Sequence, residues 1–473
     1  MKKKIITGII TFITASLFAQ ESGVSSYSLK EAVDFALKNN NDAKNAKLDM
    51  VKAKAYNWEI LTTGLPQVNG SFEYDYYFKT PIVPSFGQAF GATSTFGQVF
   101  GRLAQLDNGS VAGPTIGQIL NKPGAGFSNI SFVLPNDITT GISVSQLLFD
   151  ARYVFGVKAR KELYLTSRLQ SDLSDQEIKY SVTKAYCQAE AAQEAKSLLV
   201  DDQKIIDKLL SDTRAVFAQG LTEELDVNRL ELGKASLESQ INQQNNLAEV
   251  ALANLKFQMG LSLNETIILK DKLADLKNSV VPEQNKFDYK NRVEYELLTT
   301  GITLQGYNMQ AKRSGYYPTL AGFLNYTGNV QTTGFSDMFN KSNWFQQGLI
   351  GIKVNVPLFD SGLKRAQYKQ AEVDQLKLKN NLENFKNAAQ LQYESSLSTY
   401  NASLADEAIA QKTLDLSQKI YNTNQIKFKN GAGSSFELEQ SEQDYATNIL
   451  KHTQSIMNLL TAKSDLDKAM GVK

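Results

Sequence analysis

The sequence predicts an α+β protein built as an internal duplication, in which two β-hairpins alternate with two long helical hairpins. Three observations predict it. Landmarks recur in the same order in both halves. ISVSQLLFD (142–150) answers IKVNVPLFD (352–360), Phe217-Ala-Gln-Gly220 answers Phe428-Lys-Asn-Gly431, Met259-Gly260 answers Met470-Gly471, and PQVNGSFEY (66–74) answers PTLAGFLNY (318–326). Short segments alternate apolar and polar residues with the period of a strand. Long segments carry no proline, almost no internal glycine, and a narrow apolar stripe at helical spacing.

Taken in order, residues 1–19 place three lysines before an apolar run that ends at Ala19, the pattern of a secretory signal peptide rather than an anchor helix. No cysteine follows that run, so no N-terminal lipid anchor is expected. A helix is expected over 28–63, opened by the capping box Ser28-Leu29-Lys30-Glu31. In 65–78, Val68, Gly70, Phe72, Tyr74, Tyr76 and Phe78 share one face, against Asn69, Ser71, Glu73 and Asp75 on the other. Its hairpin partner is 139–149. Between them, 79–137 is rich in Gly, Ser, Thr and Asn and carries FGQAFG (86–91) and FGQVFG (96–101); it reads as a long extracellular loop. Helices follow over 151–219 and 222–259.

The second half repeats the order. A helix is expected over 291–315, where Asn291 and Glu294 repeat the capping-box spacing. Strands follow at 318–327 and 348–359, and helices at 361–429 and 435–469. In 361–429 the residues Leu382, Phe385, Ala389, Tyr393, Leu397, Tyr400 and Leu404 step by three or four, as in coiled-coil packing. Each long helix would measure ~100 Å at 1.5 Å per residue. The expected organisation is a signal peptide (1–19), a first repeat (20–260, with β-hairpin 65–149 and helical hairpin 151–259), a linker (261–288), and a second repeat (289–473, with β-hairpin 318–359 and helical hairpin 361–470).

Composition excludes several functions. With 50 Lys+Arg against 49 Asp+Glu there is no basic excess of the kind nucleic acid requires. One cysteine, Cys187, and one histidine, His452, allow neither an intramolecular disulfide nor a His/Cys zinc cluster. Both lie in helical stretches, where packing is the expected role. No nucleophile, base and metal converge, so neither an enzyme nor a cofactor is expected. Beyond residue 19 no apolar run is long enough for a membrane helix. A secreted chain with four membrane-style strands then meets a geometric limit. Four strands cannot close a barrel, and an open sheet leaves unpaired edges in lipid. If the strands enter a membrane, several chains must share one barrel.

On these residues the chain resembles the TolC-like outer membrane efflux family. The likeness rests on SLKEAVDFALKNN (28–40), LPQVNGSFEYDY (65–76), SVSQLLFD (143–150), YYPTLAGFLNY (316–326), VNVPLFDSGLKRAQYKQAE (354–372) and FKNGAGSSFELEQSEQDY (428–445). The resemblance implies a homotrimer in which each chain gives four transmembrane strands to one twelve-stranded β-barrel in outer-membrane lipid. The helices would form a coiled-coil tunnel in the periplasm. It also implies an exit duct for efflux or type I secretion, partnered by a periplasmic adaptor and an inner-membrane transporter, with no chemistry of its own.

Gly220, Leu221 and Thr222, and Gly431, Ala432 and Gly433, sit where two helices turn. The resemblance implies that these turns meet the adaptor; the plain alternative is that glycine ends a helix. Glu437 matches a family aspartate near the tunnel constriction, where three carboxylates would favour cations. Equally, Ser434-Ser435-Phe436-Glu437 is a capping box in which Glu437 serves only its helix. The family's constriction tyrosine, arginine and second aspartate correspond to Phe428, Gly433 and Gln440, so the charged gate is incomplete. Asp226, with Glu223 and Glu224, is the gate-matching acid of the first half, or simply an acid favoured at a helix N-terminus. Tyr74, Tyr76, Tyr77, Phe78 and Tyr326 suggest an aromatic girdle, or ordinary strand propensity. Two other functions compete. A periplasmic adaptor would show one helical hairpin flanked by small β modules; a secreted enzyme would need a convergent catalytic set.

Overall fold

The computed structural model describes residues 25–80, 133–278 and 287–472. The signal-peptide segment and nearly all of the 79–137 insertion lie outside the described residues. The elements are β1 (Ser25–Tyr27), α1 (Leu29–Asn39), α2 (Asn41–Thr62), β2 (Gln67–Tyr76), β3 (Asn136–Phe149), α3 (Ala151–Ala218), α4 (Glu224–Met259), β4 (Ile267–Leu269) and α5 (Leu273–Asn278). They continue with α6 (Val293–Arg313), β5 (Thr319–Thr332), β6 (Phe345–Asn355), α7 (Leu363–Lys429) and α8 (Ser435–Met470). The chain gathers into two compact units. One holds residues up to Asn57, Ala159–Tyr307 and Gln370–Lys473; the other holds Trp58–Lys158 and Asn308–Lys369.

In the first unit the expected helix over 28–63 is two helices. Asn40 turns to extended backbone (ψ 138°) and breaks the run. Its side chain then works in both directions. Oδ1 accepts from the amide of Asp42 at 2.7 Å, capping α2, and Nδ2 donates to the carbonyl of Gln258 at 2.7 Å. Upstream, the Ser28–Glu31 capping box forms as expected, with both reciprocal bonds made. The counterpart box at Asn291 does not form. Residues Tyr289–Asn291 make a 3₁₀ turn, and the buried guanidinium of Arg292 takes the Glu294 carboxylate at 2.5 and 3.3 Å.

The main core sits where α1, α3, α4, β4, α5 and α8 meet. Ala32, Ala36, Val182, Tyr186, Leu255, Met259, Leu273 and Ile456 form its centre. The Tyr186 hydroxyl donates to the Tyr27 carbonyl at 2.9 Å and accepts from the Asp271 amide at 3.2 Å. This fastens the ends of β1 and β4, which pair in parallel. The residues between the repeats therefore carry β4 and α5, packed into this core.

Both repeats close with the same joint. Gly260 (φ +75°) ends α4 and Gly471 (φ +72°) ends α8, each in the left-handed conformation that glycine adopts without penalty. Each also lies against backbone. An added Cβ would stand 2.8 Å from the Asn39 carbonyl oxygen at Gly260, and 3.0 Å from that of Asn291 at Gly471. The duplication is thus visible in contacts as well as in sequence.

The second unit is organised by one antiparallel sheet in the order β2-β3-β5-β6. The two hairpins join through β3 and β5, and among the described residues β2 and β6 each keep one free edge and the sheet does not close on itself. Register puts like residues on like faces. On one face Val68 pairs with Val144, Val144 with Leu324, and Leu324 with Ile350, an apolar row across all four strands. On the other, Asn69 pairs with Ser143 and Ser143 with Asn325; Ser71 pairs with Gly141, Gly141 with Thr327, and Thr327 with Gln347. The Asn329 amide donates to Asp137 and Thr139 at 2.8 and 2.9 Å on this polar face. The apolar face is exposed, reaching 79% at Ile350. Near the β5–β6 connection it is covered, where Ile138, Val330 and Met338 pack with Trp344. No described helix is long and apolar enough to cross a membrane.

Candidate functional site: the cleft between the helical tips

The two helical hairpins of the first unit turn by the same backbone device. At the first tip Gly220 (φ +74°) ends α3, its amide donates to the Phe217 carbonyl at 2.8 Å, and the Leu221 amide donates to Val216 at 3.2 Å. At the second, Gly431 (φ +69°) follows α7, its amide donates to Phe428 at 3.0 Å, and the Ala432 amide donates to Lys427 at 2.8 Å. This is one C-cap motif used twice, and it spends the otherwise unpaired carbonyls of the last helical turn.

The next residues share backbone but not side-chain chemistry. Glu223 (φ −89°, ψ 150°) and Ser434 (φ −91°, ψ 150°) occupy equivalent N-cap positions. Ser434 Oγ accepts from the Glu437 amide at 3.2 Å; Glu223 makes no side-chain cap. Only half of the expected capping box over Ser434–Glu437 is present, because the Glu437 carboxylate does not reach back. That carboxylate is left exposed, while the Glu437 carbonyl accepts from Asn424 at 3.2 Å. Gln440 is also exposed and donates along its own helix to Asp444 at 3.2 Å.

Asp226, the repeat counterpart of Glu437, sits in a network. Thr222 Oγ1 donates to Asp226 Oδ2 at 2.6 Å. Ser435 Oγ, buried at the start of α8, accepts from Arg229 Nη1 at 3.1 Å, and the Arg229 guanidinium lies 5.7 Å from the Phe436 ring centroid. Burial alone would raise the Asp226 carboxyl. Hydrogen bonds from Ser435, Thr222 and the local backbone, with the Arg229 charge, outweigh it and hold the group below the usual range. A folded carboxyl below its unfolded value stabilises the fold above that value, and the contribution fades as pH falls.

A cleft of about 670 Å³ lies between the tips. Leu221, Thr222, Glu223, Asp226, Phe428, Gly431 and Gly433 line it, so seven of the residues singled out from sequence come together here. Glu437, Gln440, Gly220 and Ala432 are outside its lining. Asp212, Glu223 and Asp226 against Lys429 give the walls an acidic balance. Phe428 is half-buried and packs on Leu209, Leu210, Val227, Leu230, Tyr421 and Leu438. At Gly433 a Cβ would meet Lys427 Cβ at 2.9 Å and the Phe428 backbone nitrogen at 3.2 Å, so no side chain fits without a shift. Beside the cleft, Arg229 of the first hairpin brings a further cation to the tips, held on Ser435 and Phe436 of the second. Sequence reasoning missed it; its one local signal is the helical i, i+3 spacing from Asp226. No group of three or more His, Cys, Asp or Glu among the described residues is placed to hold a metal.

Comparison with known proteins bears on this architecture. Residues 302–472 match the family model described as outer membrane efflux protein. Over those residues the chain is similar to the outer membrane efflux protein family. The match covers most of the second repeat. Outer membrane channels and an outer membrane protein of known structure also share the fold over nearly the whole chain. The Campylobacter jejuni CmeC outer membrane channel aligns with a TM-score of 0.67 at 18% identity, covering 94% of this chain and 85% of that one. The Vibrio cholerae outer membrane protein VceC aligns at 0.64 and 12% identity (94% and 96% covered). The Neisseria gonorrhoeae MtrE outer membrane channel in its open state aligns at 0.61 and 15% (94% and 88%). In sequence, the proteases secretion protein PrtF of Dickeya chrysanthemi is 20% identical over 225 residues, 46% of this chain. The alignment spans about half the length of that relative, 48%.

Proposed function

We propose that this protein is the outer-membrane exit duct of an efflux or type I secretion system, passing its cargo passively from a periplasmic adaptor and inner-membrane transporter to the exterior. One observation carries the proposal. A four-stranded sheet has an apolar exposed face, a polar opposite face and two free edges. In lipid such edges must be paired, and closure is the means. Three copies in a ring would pair every edge in one twelve-stranded barrel, with the row Val68, Val144, Leu324 and Ile350 toward lipid and Asn69, Ser143 and Asn325 toward the lumen. The family match and the shared fold with outer membrane channels support the same conclusion.

In this proposal the strands lie in the outer membrane and the long polar helices in the periplasm. The turns at Gly220–Thr222 and Gly431–Gly433 meet the adaptor, offering it short, exposed backbone. Glu437 contributes a carboxylate to the constriction, with Asp226, Phe428 and Gln440 nearby in sequence or by repeat.

The deciding experiment is the mass of the detergent-extracted protein from the outer-membrane fraction, by native mass spectrometry. Three copies per particle are expected. A monomer released without detergent would overturn the shared barrel and the duct with it.

A further inference from the structure

Beside the tip cleft the helical wall holds two acids with no basic partner. Asp202 on α3 is 2% exposed and Glu442 on α8 is 4% exposed. Neither Asp202 oxygen has a hydrogen-bond partner of proper geometry among the described residues, and neither does the hydroxyl of buried Tyr421 on α7, which stands beside it. Glu442 lines a small cavity whose walls also include Leu209, Leu230, Tyr421, Leu438, Glu439 and Arg229, the last engaged elsewhere. Leu209 lines the tip cleft as well, so the cavity that Glu442 lines is separated from that cleft by one side chain.

The groups facing the acids come from four elements. α3 supplies Asp202 itself. α4 supplies Arg229, which is engaged by Ser435 and Phe436, and Gly233, whose missing side chain leaves room against Glu442. On the same helix Lys234 is held by Asp207 at 2.6 Å. α7 supplies Tyr421 and the Gln425 amide; α8 supplies Glu439, Glu442 and Tyr445, whose ring stacks on Tyr421 at 5.6 Å. The charged neighbours that act on Glu442 are therefore acids.

We propose that Asp202 and Glu442 form a proton-operated latch in the helical wall. Protonated, the two carboxyls are neutral and let α3, α7 and α8 pack around Tyr421. Ionised, they place two like charges in an apolar wall and loosen it next to the tips. Burial, only partly offset by the Tyr421 hydroxyl, pushes Asp202 up to about 7, and burial together with the Asp202 and Glu439 charges pushes Glu442 up to about 8. The sign follows from linkage. Folded values above the unfolded carboxylate range mean that the folded wall binds more protons, so its stability is full at acid pH and falls as pH rises through 7 to 8. The latch concerns the wall of this chain and does not depend on what the chain conducts.

The test is backbone hydrogen exchange of the full-length protein, read by mass spectrometry and corrected for the intrinsic effect of pH. Between pH ~6 and pH ~9, peptides containing Asp202, Tyr421 and Glu442 should lose protection by about tenfold or more, while peptides around Tyr186 hold theirs. In the double variant Asp202→Asn, Glu442→Gln the two pH values should give equal protection. Unchanged protection in the wild type, or loosening undiminished in the double variant, would overturn the latch. Should the variant fail to fold, infrared spectra of the wild type decide: a protonated-carboxyl band persisting at neutral pH is expected, and its absence overturns the proposal.

Discussion

A methyl group added at Gly220 or Gly431 meets no atom within 4 Å, yet both residues hold φ near +70°. The same left-handed backbone at Gly260 is hemmed in by the Asn39 carbonyl oxygen at 2.8 Å. Single alanine substitutions should separate the two effects. Gly220→Ala and Gly431→Ala should each cost roughly 1–2 kcal/mol, the price of a left-handed L-residue alone. Gly260→Ala adds a collision with backbone that cannot rotate away, and should lower the thermal midpoint by clearly more than either. Equal losses at all three sites would mean the tips are more crowded than their open surroundings indicate. Gly220 and Gly431 were legible in sequence, because a glycine between two proline-free helical runs reads as a C-cap. The collision at Gly260 was not, since Asn39 is distant in the chain.

At the scale of the element, the sheet is where pattern and structure agree best. Alternation in 65–78 and 348–359 marks β2 and β6, the two edge strands, because both have one strongly apolar face. β3 and β5 alternate weakly, and they turn out to be central and longer, running over Asn136–Phe149 and Thr319–Thr332. A central strand is stabilised by pairing on both edges and tolerates Gly141, Gly322 and Gly328 in its pattern. If the apolar face meets lipid, Ile352→Lys should cost ~2–4 kcal/mol near the middle of the bilayer and empty the outer-membrane fraction of trimer. Asn325→Lys, on the opposite face, should leave trimer yield nearly unchanged. Equal yields from the two variants would show that the face exposed in the single chain is not the lipid face. Helices were legible in extent but not in continuity. Asn40 breaks the 28–63 run because its side chain finds the Gln258 carbonyl and the Asp42 amide, and the first of these partners lies more than two hundred residues away.

For the whole molecule, the proposed duct would need a gate, and the resemblance matches only part of a charged constriction to this sequence. Glu437 offers a clean probe. Its amide, not its carboxylate, is what Ser434 caps, so Glu437→Ala keeps the cap while deleting the charge. In planar bilayers the variant should show weaker cation preference and altered conductance, with the trimer intact. Identical conductance and selectivity would reduce Glu437 to a helix residue. The acidic walls of the tip cleft and the Asp226–Ser435–Arg229 network show that charge persists at the tips, carried by residues of the first hairpin.

By itself the sequence determined what depends on local spacing. It set the duplicated order of landmarks, the alternating strands, the proline-free helices, the glycine turns and the Ser28 capping box, because each is decided within a few residues of chain. Tertiary structure decided what depends on partners far apart in the chain. It paired β3 with β5, joined β1 to β4, gave Arg229 to Ser435, and set Asp202 against Tyr421 and Glu442. The buried acids show the reason most plainly. In a polar helical sequence Asp202 and Glu442 look like solvated surface, and only packing takes the water away from them.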